Sequence, residues 1–148
     1  GMVALVDNED YADLMQFKWH AAVKGTYAGR TVHRNGKKTY EFMHRRILNA
    51  KPGERVDHKN HNSLDNQRAN IRLCTQSQNM GNMKRRTDGV SEFKGVAWHK
   101  RNGVWQSGIK RNGKRTNLGC FAKEEDAARA YDDAARKMFG DFALTNFQ

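Results

Sequence analysis

Three Asn-Gly dipeptides, at positions 35–36, 102–103 and 112–113, lie between short runs in which apolar and polar residues alternate. Asn-Gly is a preferred centre for a two-residue turn between antiparallel strands, because both residues tolerate the positive φ that this turn requires. Each dipeptide therefore predicts a β-hairpin. One hairpin lies near the start of the chain, and the other two follow each other near its end.

The two later hairpins are followed by a predicted helix, KEEDAARAYDDAARKMFG. Acidic residues open this segment, basic residues close it and Gly140 follows, which is the order that the helix dipole and the C-cap favour. One apolar face recurs at steps of three and four, at Ala127, Ala128, Tyr131, Ala134, Ala135 and Met138. Residues 93–148 therefore predict a three-stranded antiparallel sheet packed by one helix.

The first part of the chain is also predicted to form strands, with one short helix at NEDYADLM, where acidic residues precede an apolar set. The stretch MKRRTDGVSE is basic and then contains Gly and Ser, which is typical of a linker. We therefore predict an α+β chain with a domain at residues 2–82, a basic linker at 83–92 and a second domain at 93–148.

The chain carries 27 Lys and Arg residues against 16 Asp and Glu, a net charge of +11, and both halves share the excess. This excess favours a polyanionic partner, with nucleic acid ahead of a merely soluble basic protein. Neither a transmembrane run nor a signal peptide is visible, so we expect a cytoplasmic protein without a membrane partner. Cys74 and Cys120 form no CxxC pair, so we expect two buried thiols and no zinc site.

The polar stretch VDHKNHNSLDNQRANIRLCTQSQNMGN, residues 56–82, suits a site better than a core. The carboxylate of Asp57 is a ligand that hard divalent cations prefer, and a neutral imidazole such as His58 can act as a general base near pH 7. Asn-rich loops also serve ordinary turns, so composition by itself leaves both interpretations open.

A helix is predicted at the end of this stretch, because Thr75-x-x-Gln78 has the spacing of a capping box. The helix would run from Thr75 toward Lys84 and place Asn79 in its first turn. A strand that ends in Asp57 and His58, a long loop, a second strand and this helix would bring Asn79 within reach of the Asp-His pair.

Residues 56–82 resemble the HNH nuclease motif in the ββα-metal form carried by phage and intron homing endonucleases. The matching text is DH at 57–58, LDNQRANIRLCT at 64–75 and QN at 78–79. The spacing from His58 to Asn70 to Asn79 fits as well. The preceding stretch, with VALVDNEDY, FKWH and YEFMHRRIL, is similar to the N-terminal part of such phage enzymes.

This resemblance implies a role for each matching residue. His58 would be the general base that activates a water molecule, and Asp57 and Asn79 would hold one Mg²⁺ or Mn²⁺ ion per active site. The Asn70 amide would brace the loop that presents His58. One acid and one amide leave most metal positions to water and phosphate oxygens, as Mg²⁺ prefers, and the metal would neutralise charge on the phosphoryl group.

Two histidines near the motif need separate interpretation. His61 lies where the family usually has a small turn residue, often Gly, and we expect a loop variation here in preference to an extra phosphate contact. His44, in FMHRRIL, either orients the scissile phosphate or is a structural histidine with local partners. Lys84, Arg85 and Arg86 follow the predicted helix and would clamp phosphates.

Basic and aromatic residues are dense on the predicted C-terminal sheet. Val96, Ile109 and Leu118 are expected to face the helix, while Lys94, Trp98, Lys110 and Arg115 are expected on the other face or its rim. A ribbon of two or three strands fits the major groove of DNA. The candidate DNA contacts are Lys94, Trp98, Lys100, Arg101, Trp105, Lys110 and Arg115. The alternatives are a solvated face and, for the two tryptophans, a packing role.

Residues 93–147 resemble the plant ethylene-response-factor domain of the AP-two fold, through KGVAWH, LG-x-F, EEDAARAYD and the closing LTNF. That family binds duplex DNA through its sheet, which implies the same use for the basic residues of this sheet. Ala97 and His99 stand where the plant proteins tend to have Arg, and Gly108 where they tend to have Glu. The plant target sequence is therefore not expected to apply.

Together these features predict a metal-dependent endonuclease of duplex DNA, similar to a free-standing homing endonuclease of a phage or mobile element in a bacterial host. A DNA-binding regulator with an inactive nuclease unit is the alternative. An RNA-directed protein is disfavoured, because the A-form major groove is too narrow for a sheet to enter. One active site per chain predicts nicking by a monomer, whereas a dimer could cut both strands.

Overall fold

The structure is a computed structural model that describes residues 2–23, 26–85, 87 and 89–147. Its contacts divide the chain into two compact units, Gly1–Thr75 and Gln76–Gln148. Both units combine helices with antiparallel strands, so the predicted α+β class is confirmed. No helix within the described ranges is both long and apolar enough to cross a membrane.

The first unit contains α1 (Asn8–Leu14), β1 (His20–Ala22), β2 (Tyr27–Arg34), β3 (Lys37–Phe42), α2 (Met43–Ile47), β4 (Arg55–His58) and β5 (Ile71–Cys74). Strands β1, β2 and β3 form one antiparallel sheet in that order, and β4 and β5 form a separate antiparallel pair. Between β2 and β3, Asn35 and Gly36 have φ values of 51° and 71°, so the predicted hairpin turn is present.

The first unit has a small apolar core, formed by Leu14, Ala28, Met43, Ile47 and Ile71. Since these residues come from α1, β2, α2 and β5, the core joins both helices to the sheet and to the strand pair. A polar clamp adds to it: Arg68 Nη2 lies 2.7 Å from Asp10 Oδ1, and the Arg68 N–H donates to Asp7 Oδ2 at 2.7 Å. The segment before β5 is thereby held against α1.

The second unit contains α3 (Gln76–Asn82), β6 (Val96–His99), β7 (Val104–Arg111), β8 (Lys114–Phe121), α4 (Glu124–Phe139) and a 3-10 turn (Gly140–Phe142). Strands β6, β7 and β8 form an antiparallel sheet in that order with α4 packed on it, as the sequence predicted. Asn112 and Gly113 form the turn between β7 and β8 with φ values of 49° and 81°. The turn at residues 100–103 is longer, and only its glycine has positive φ.

Helix α4 packs closely on the sheet because alanines alternate with Tyr131 and Phe139 on its inner face. Ala127, Ala128 and Ala135 have no exposed surface. Tyr131 lies across Gly95, where a Cβ atom would be 1.9 Å from the ring atom Cδ2. Gly95 also has a φ of 80°, so both the space and the backbone conformation require glycine here.

Helix α3 begins directly after Thr75, the predicted capping residue, and ends two residues before Lys84. Its contacts group it with the second unit. The reason is a close backbone contact at Gly81, where a Cβ atom would lie 2.7 Å from Phe139 Cγ. The Leu144 N–H also donates to the Gly81 carbonyl at 3.1 Å.

The prediction of two buried thiols is correct in part. Cys74 is half-buried, and burial raises the pKa of its thiol. Cys120 is exposed, so the prediction is wrong for this residue. The cause is strand alternation, since Cys120 pairs with Gln106 while the neighbouring pair Ser107 and Gly119 lies on the face toward the helix.

The C-terminal tail is held by the carboxylate of Asp132, which is 1 % exposed in the middle of α4. One carboxylate oxygen, Oδ1, accepts hydrogen bonds from the backbone N–H and the side-chain amide of Asn146, at 2.8 and 2.9 Å. The other, Oδ2, accepts from the Phe147 N–H at 2.9 Å. Three donors of the tail therefore depend on one buried acceptor group.

The variant Asp132→Ala is expected to lower the free energy of unfolding by about 3 kcal/mol, because it leaves these buried donors without a partner. Asp133→Ala is the matched control, since the side chain of Asp133 is 70 % exposed and makes an i,i+3 ion pair with Arg136 at the surface. The control is expected to change the free energy by at most about 0.5 kcal/mol. Urea unfolding of both variants checks this, and equal losses would contradict it.

Candidate functional site

The Asp-His pair lies at the end of β4, as the sequence predicted. Asp57 is opposite Arg72 and His58 is opposite Ile71 in the antiparallel pair with β5. Asp57 is 6 % exposed and His58 is 8 % exposed. Because successive strand residues point to opposite faces, the two side chains leave β4 in different directions.

The Asp57 carboxylate is oriented by Arg72, a residue to which the sequence analysis gave no role. The Arg72 Nε and Nη2 atoms lie 3.0 and 2.9 Å from Asp57 Oδ2. Both side chains are largely buried, so the guanidinium compensates the charge of the carboxylate and fixes its rotamer. The signal that could have revealed this ion pair is the pairing of the two strands, since Asp57 and Arg72 are opposite each other in the register.

His58 is surrounded by polar and aromatic side chains of the same unit. Its Nε2 atom lies 3.4 Å from Asn66 Oδ1, and its ring centroid lies 5.1 Å from that of His44 and 6.2 Å from that of Tyr27. Burial lowers the pKa of His58, while the Asn66 hydrogen bond and the charges of Asp57 and Asp65 act in the opposite direction. A neutral imidazole at pH 7 is thereby favoured, which a general base requires.

His44 is the second buried histidine of this cluster, and it is 8 % exposed. Its ring is parallel to Phe42 at 5.6 Å and contacts Tyr27 at 5.4 Å. Burial, followed by the charges of His58 and Arg45, lowers the pKa of His44 to about 3. In the part of the chain that the structure describes, its Nδ1 atom is buried without a hydrogen-bond partner. One ring nitrogen of His44 is thus left for a partner outside the described chain.

The loop between β4 and β5 is braced by asparagine side chains. Asn70 accepts from the Asn60 N–H at 3.0 Å and donates to the Asp65 carbonyl at 2.7 Å. Asn60 in turn donates to Asp65 Oδ2 at 2.7 Å. The Asn70 amide therefore links the start and the middle of the loop that follows His58.

His61 has a φ of 62°, in the left-handed region that favours glycine. Its N–H closes a turn on the His58 carbonyl at 3.0 Å. This backbone conformation gives a physical reason for a small residue at this position, and it supports the interpretation of His61 as a loop variation.

The remaining predicted residues of the nuclease motif lie in the second unit. Asn79 is half-buried in α3, while Lys84 is exposed and Arg85 is half-buried after it. Arg86 lies outside the described residues. The partnership of Asn79 with Asp57 therefore depends on the spacing of the motif.

The residues of the motif fit a hard divalent cation. Asp57 supplies a buried carboxylate and Asn79 an amide oxygen, which are ligand types that Mg²⁺ accepts. The described residues contain no cluster of three or more His, Cys, Asp or Glu side chains arranged for a metal ion.

The faces of the C-terminal sheet follow from its register. Trp98 pairs with Trp105 at 4.9 Å between ring centroids, and Trp105 alternates with the buried Ser107 and Ile109 along β7. These tryptophans therefore lie on the side of α4. Trp98 shares its face with Val96 but stays 39 % exposed, so of the two predicted positions, the outer face and its rim, the rim is the one that fits.

Lys94 is engaged inside the second unit and does not project from the outer face of the sheet, where the sequence led us to expect it. Its Nζ atom donates to the Gly81 carbonyl at 2.6 Å and lies 5.7 Å from the Tyr131 ring centroid. Burial lowers the pKa of Lys94 to about 8. This lysine is engaged inside the second unit because Gly95, with its positive φ, turns the chain before β6.

The outer face of the sheet carries Lys110 and Arg115, which are opposite each other in the register and exposed. Arg115 lies across Gly108, where a Cβ atom would be 3.0 Å from the Arg115 Nε atom. Lys100 and Arg101 are exposed in the turn between β6 and β7. Gly108 thus makes room for a guanidinium on the middle strand, a role that the sequence did not reveal.

Comparisons with known proteins find relatives of the nuclease motif and relatives of the C-terminal sheet and helix. The family model described as HNH endonuclease matches residues 41–81, from the end of β3 through most of α3. The uncharacterized HNH endonuclease L560 of Acanthamoeba polyphaga mimivirus is 30 % identical over 149 residues, which cover 99 % of this chain and 75 % of the relative.

Two Arabidopsis thaliana proteins match about half of the chain. The AP2-like ethylene-responsive transcription factor AIL6 is 38 % identical over 84 residues, or 53 % of this chain and 14 % of its own length. The related factor AIL7 is 40 % identical over 80 residues, or 50 % of this chain and 16 % of its own length. The chain thus spans less than a fifth of the plant proteins, and the likeness concerns an AP2-type DNA-binding domain. The mimivirus relative, matched along nearly the whole chain, places this protein in the HNH endonuclease family.

Proposed function

We propose that this protein is a metal-dependent endonuclease that hydrolyses a phosphodiester bond of duplex DNA at a site chosen by the C-terminal sheet. The observation that carries the proposal is the buried Asp57 and His58 pair at the end of β4. Burial favours the neutral form of His58, and the braced loop that follows holds the strand end in place. Family membership and the basic charge of the chain support a nucleic-acid substrate.

In the proposed reaction His58 removes a proton from the water molecule that attacks the phosphorus. The water oxygen then forms a bond to phosphorus while the bond from phosphorus to the leaving oxygen breaks. The leaving oxygen takes a proton from solvent and ends as a hydroxyl group. Asp57 and Asn79 would hold Mg²⁺ or Mn²⁺, which supplies charge neutralisation at the phosphate when bound. Arg72 keeps the Asp57 carboxylate in one orientation.

His44 is proposed to help orient the scissile phosphate. It is neutral at pH 7 because its pKa is about 3, so it can donate one hydrogen bond without adding charge. Its partnerless Nδ1 atom lies in the cluster with His58, where a phosphate oxygen or a water molecule would satisfy it.

The outer face of the C-terminal sheet is proposed to bind duplex DNA through Lys110 and Arg115, with Lys100 and Arg101 at the adjoining turn. Lys84, Arg85 and Arg86 are proposed to contact phosphates. Trp98 and Trp105 are proposed to pack on each other, because they are opposite in the register with ring centroids 4.9 Å apart. Duplex DNA of a bacterial host, and an origin in a phage or mobile element, are part of the proposal.

One observation favours a second candidate, a DNA-binding regulator with an inactive nuclease unit. The Arg72 guanidinium occupies Asp57 Oδ2, and an ion pair at this oxygen competes with a metal ion. In that case the sheet would bind DNA and no metal would support cleavage.

The variant His58→Ala is expected to reduce the rate of cleavage by about 10²- to 10⁴-fold, because a general base contributes that much to such reactions. The measurement is conversion of supercoiled plasmid carrying random genomic inserts to open-circle or linear DNA with Mg²⁺ or Mn²⁺. EDTA is the metal control, and His33→Ala, an exposed histidine of β2, is the matched variant. Cleavage that survives in His58→Ala, or that EDTA leaves unchanged, would contradict the mechanism.

His44→Phe is expected to raise the free energy of unfolding by about 1 kcal/mol, because it removes an unsatisfied buried nitrogen and keeps the ring stack. With a folded pKa near 3 and an ordinary value of 6.5, the unfolded state binds more protons between these limits. The wild type therefore loses stability as pH falls from 6.5 toward 3, and the variant should lose less. Urea unfolding across this pH range is the measurement. An unchanged pH slope would argue against the buried neutral state.

Lys110→Ala and Arg115→Ala are each expected to weaken binding to duplex DNA and to lower the slope of log affinity against log salt by about 1. Fluorescence anisotropy with the cleavage-deficient His58→Ala chain checks this. Lys137→Ala, an exposed lysine in the last turn of α4, is the matched control. If the control weakens binding as much as the sheet variants do, the outer face is not the DNA surface.

A further inference from the structure

We propose that Asn66 fixes the tautomer of His58, so that the ring carries its proton on Nε2 and presents Nδ1 as the base. Asn66 acts through His58 and is therefore a positioning residue. This inference rests on the proposed function, because a base is meaningful only if His58 activates a water molecule.

The orientation of the Asn66 amide decides which of its ends faces His58. Asn66 Nδ2 donates to the Leu64 carbonyl at 3.1 Å. The amide nitrogen is thereby committed to an acceptor, and the other end of the amide, Oδ1, is the atom 3.4 Å from His58 Nε2. An amide oxygen only accepts, so the matching tautomer has the proton on Nε2.

Asn66 itself cannot easily rotate away from this arrangement. Its side chain has no exposed surface, which makes it one of the most completely buried polar side chains of the described residues. Its backbone N–H donates to the Leu5 carbonyl at 2.8 Å, and the Leu5 N–H donates to the Leu64 carbonyl at 2.8 Å. Leu5 and Asp65 thus form a short parallel bridge that holds the residue beside His58.

A buried imidazole ring depends on a hydrogen-bond acceptor such as Asn66 more than an exposed imidazole does. Neutral imidazole has two tautomers, and in water both nitrogens can find hydrogen-bond partners. Inside the protein, an N–H without an acceptor costs about 1–3 kcal/mol, so one fixed acceptor is enough to select one tautomer. The second nitrogen of a functional histidine is commonly set in this way by an outer partner.

Long-range ¹H–¹⁵N correlation spectra of the full chain at about pH 7.5 would test the tautomer directly. The His58 signals are assigned from their absence in His58→Ala. The expected pattern is a protonated Nε2, with an N–H signal protected from exchange, and an unprotonated Nδ1. A protonated Nδ1 in the wild type would overturn the proposal without any assay of cleavage.

Two substitutions separate this role from packing. Asn66→Leu removes the acceptor and keeps the branching and the number of side-chain heavy atoms. In this variant the His58 Nε2–H signal should lose protection while cleavage falls about 10- to 100-fold. Asn66→Asp keeps an oxygen toward Nε2 and loses the donor to Leu64, so it should keep the signal and more of the activity. Asn62→Ala, at an exposed asparagine of the same loop, is the control and should change neither.

The outcomes distinguish this inference from the proposed function. Protection and cleavage that persist in Asn66→Leu would overturn the inference alone. An Asn66→Asp chain that loses both signal and cleavage to the same extent as Asn66→Leu would assign Asn66 to packing. If the wild type shows the expected tautomer but cuts no DNA with any metal, the proposed function fails, and with it the catalytic purpose of the tautomer.

Discussion

The hydrogen bonds of the Asn70 amide are the interaction on which the nuclease unit depends. This side chain accepts from the Asn60 backbone and donates to the Asp65 carbonyl, and the Asn70 carbonyl accepts from the Lys59 N–H. A loop of this length has many backbone groups and few apolar side chains to bury. Side-chain amides can serve as donor and acceptor at once, so a few of them satisfy the loop where a larger core is absent.

Burial has two opposite consequences in the histidine cluster. It keeps both imidazoles neutral, which suits proton transfer and hydrogen bonding at neutral pH. It also leaves a ring nitrogen of His44 unsatisfied within the described chain, and this arrangement lowers stability. Such local cost is typical of positions where a site is organised before its ligand arrives.

Strong local signals made much of the fold predictable. Two of the three Asn-Gly dipeptides adopt the positive φ values of tight hairpin turns, and the segment with acidic and basic ends forms α4. Spacing relative to His58 located the residues of the motif along the chain. Asn66 was missed as a partner because its contact crosses a loop, which no periodic pattern encodes. Arg72 was missed although its position opposite Asp57 in the strand pair offered a signal. Alternation alone also puts Trp98 and Val96 on one face of the sheet, which the register bears out.

The exposed thiol of Cys120 has a practical consequence. It lies on the outer face of the sheet, while the chain's second thiol, Cys74, is half-buried with a raised pKa and should react more slowly. The sulfur of Cys120 is therefore a natural attachment point for a reporter or a disulfide cross-link to modified DNA. The native chain can thus be trapped on, or mapped against, whatever passes over this face, without an engineered cysteine.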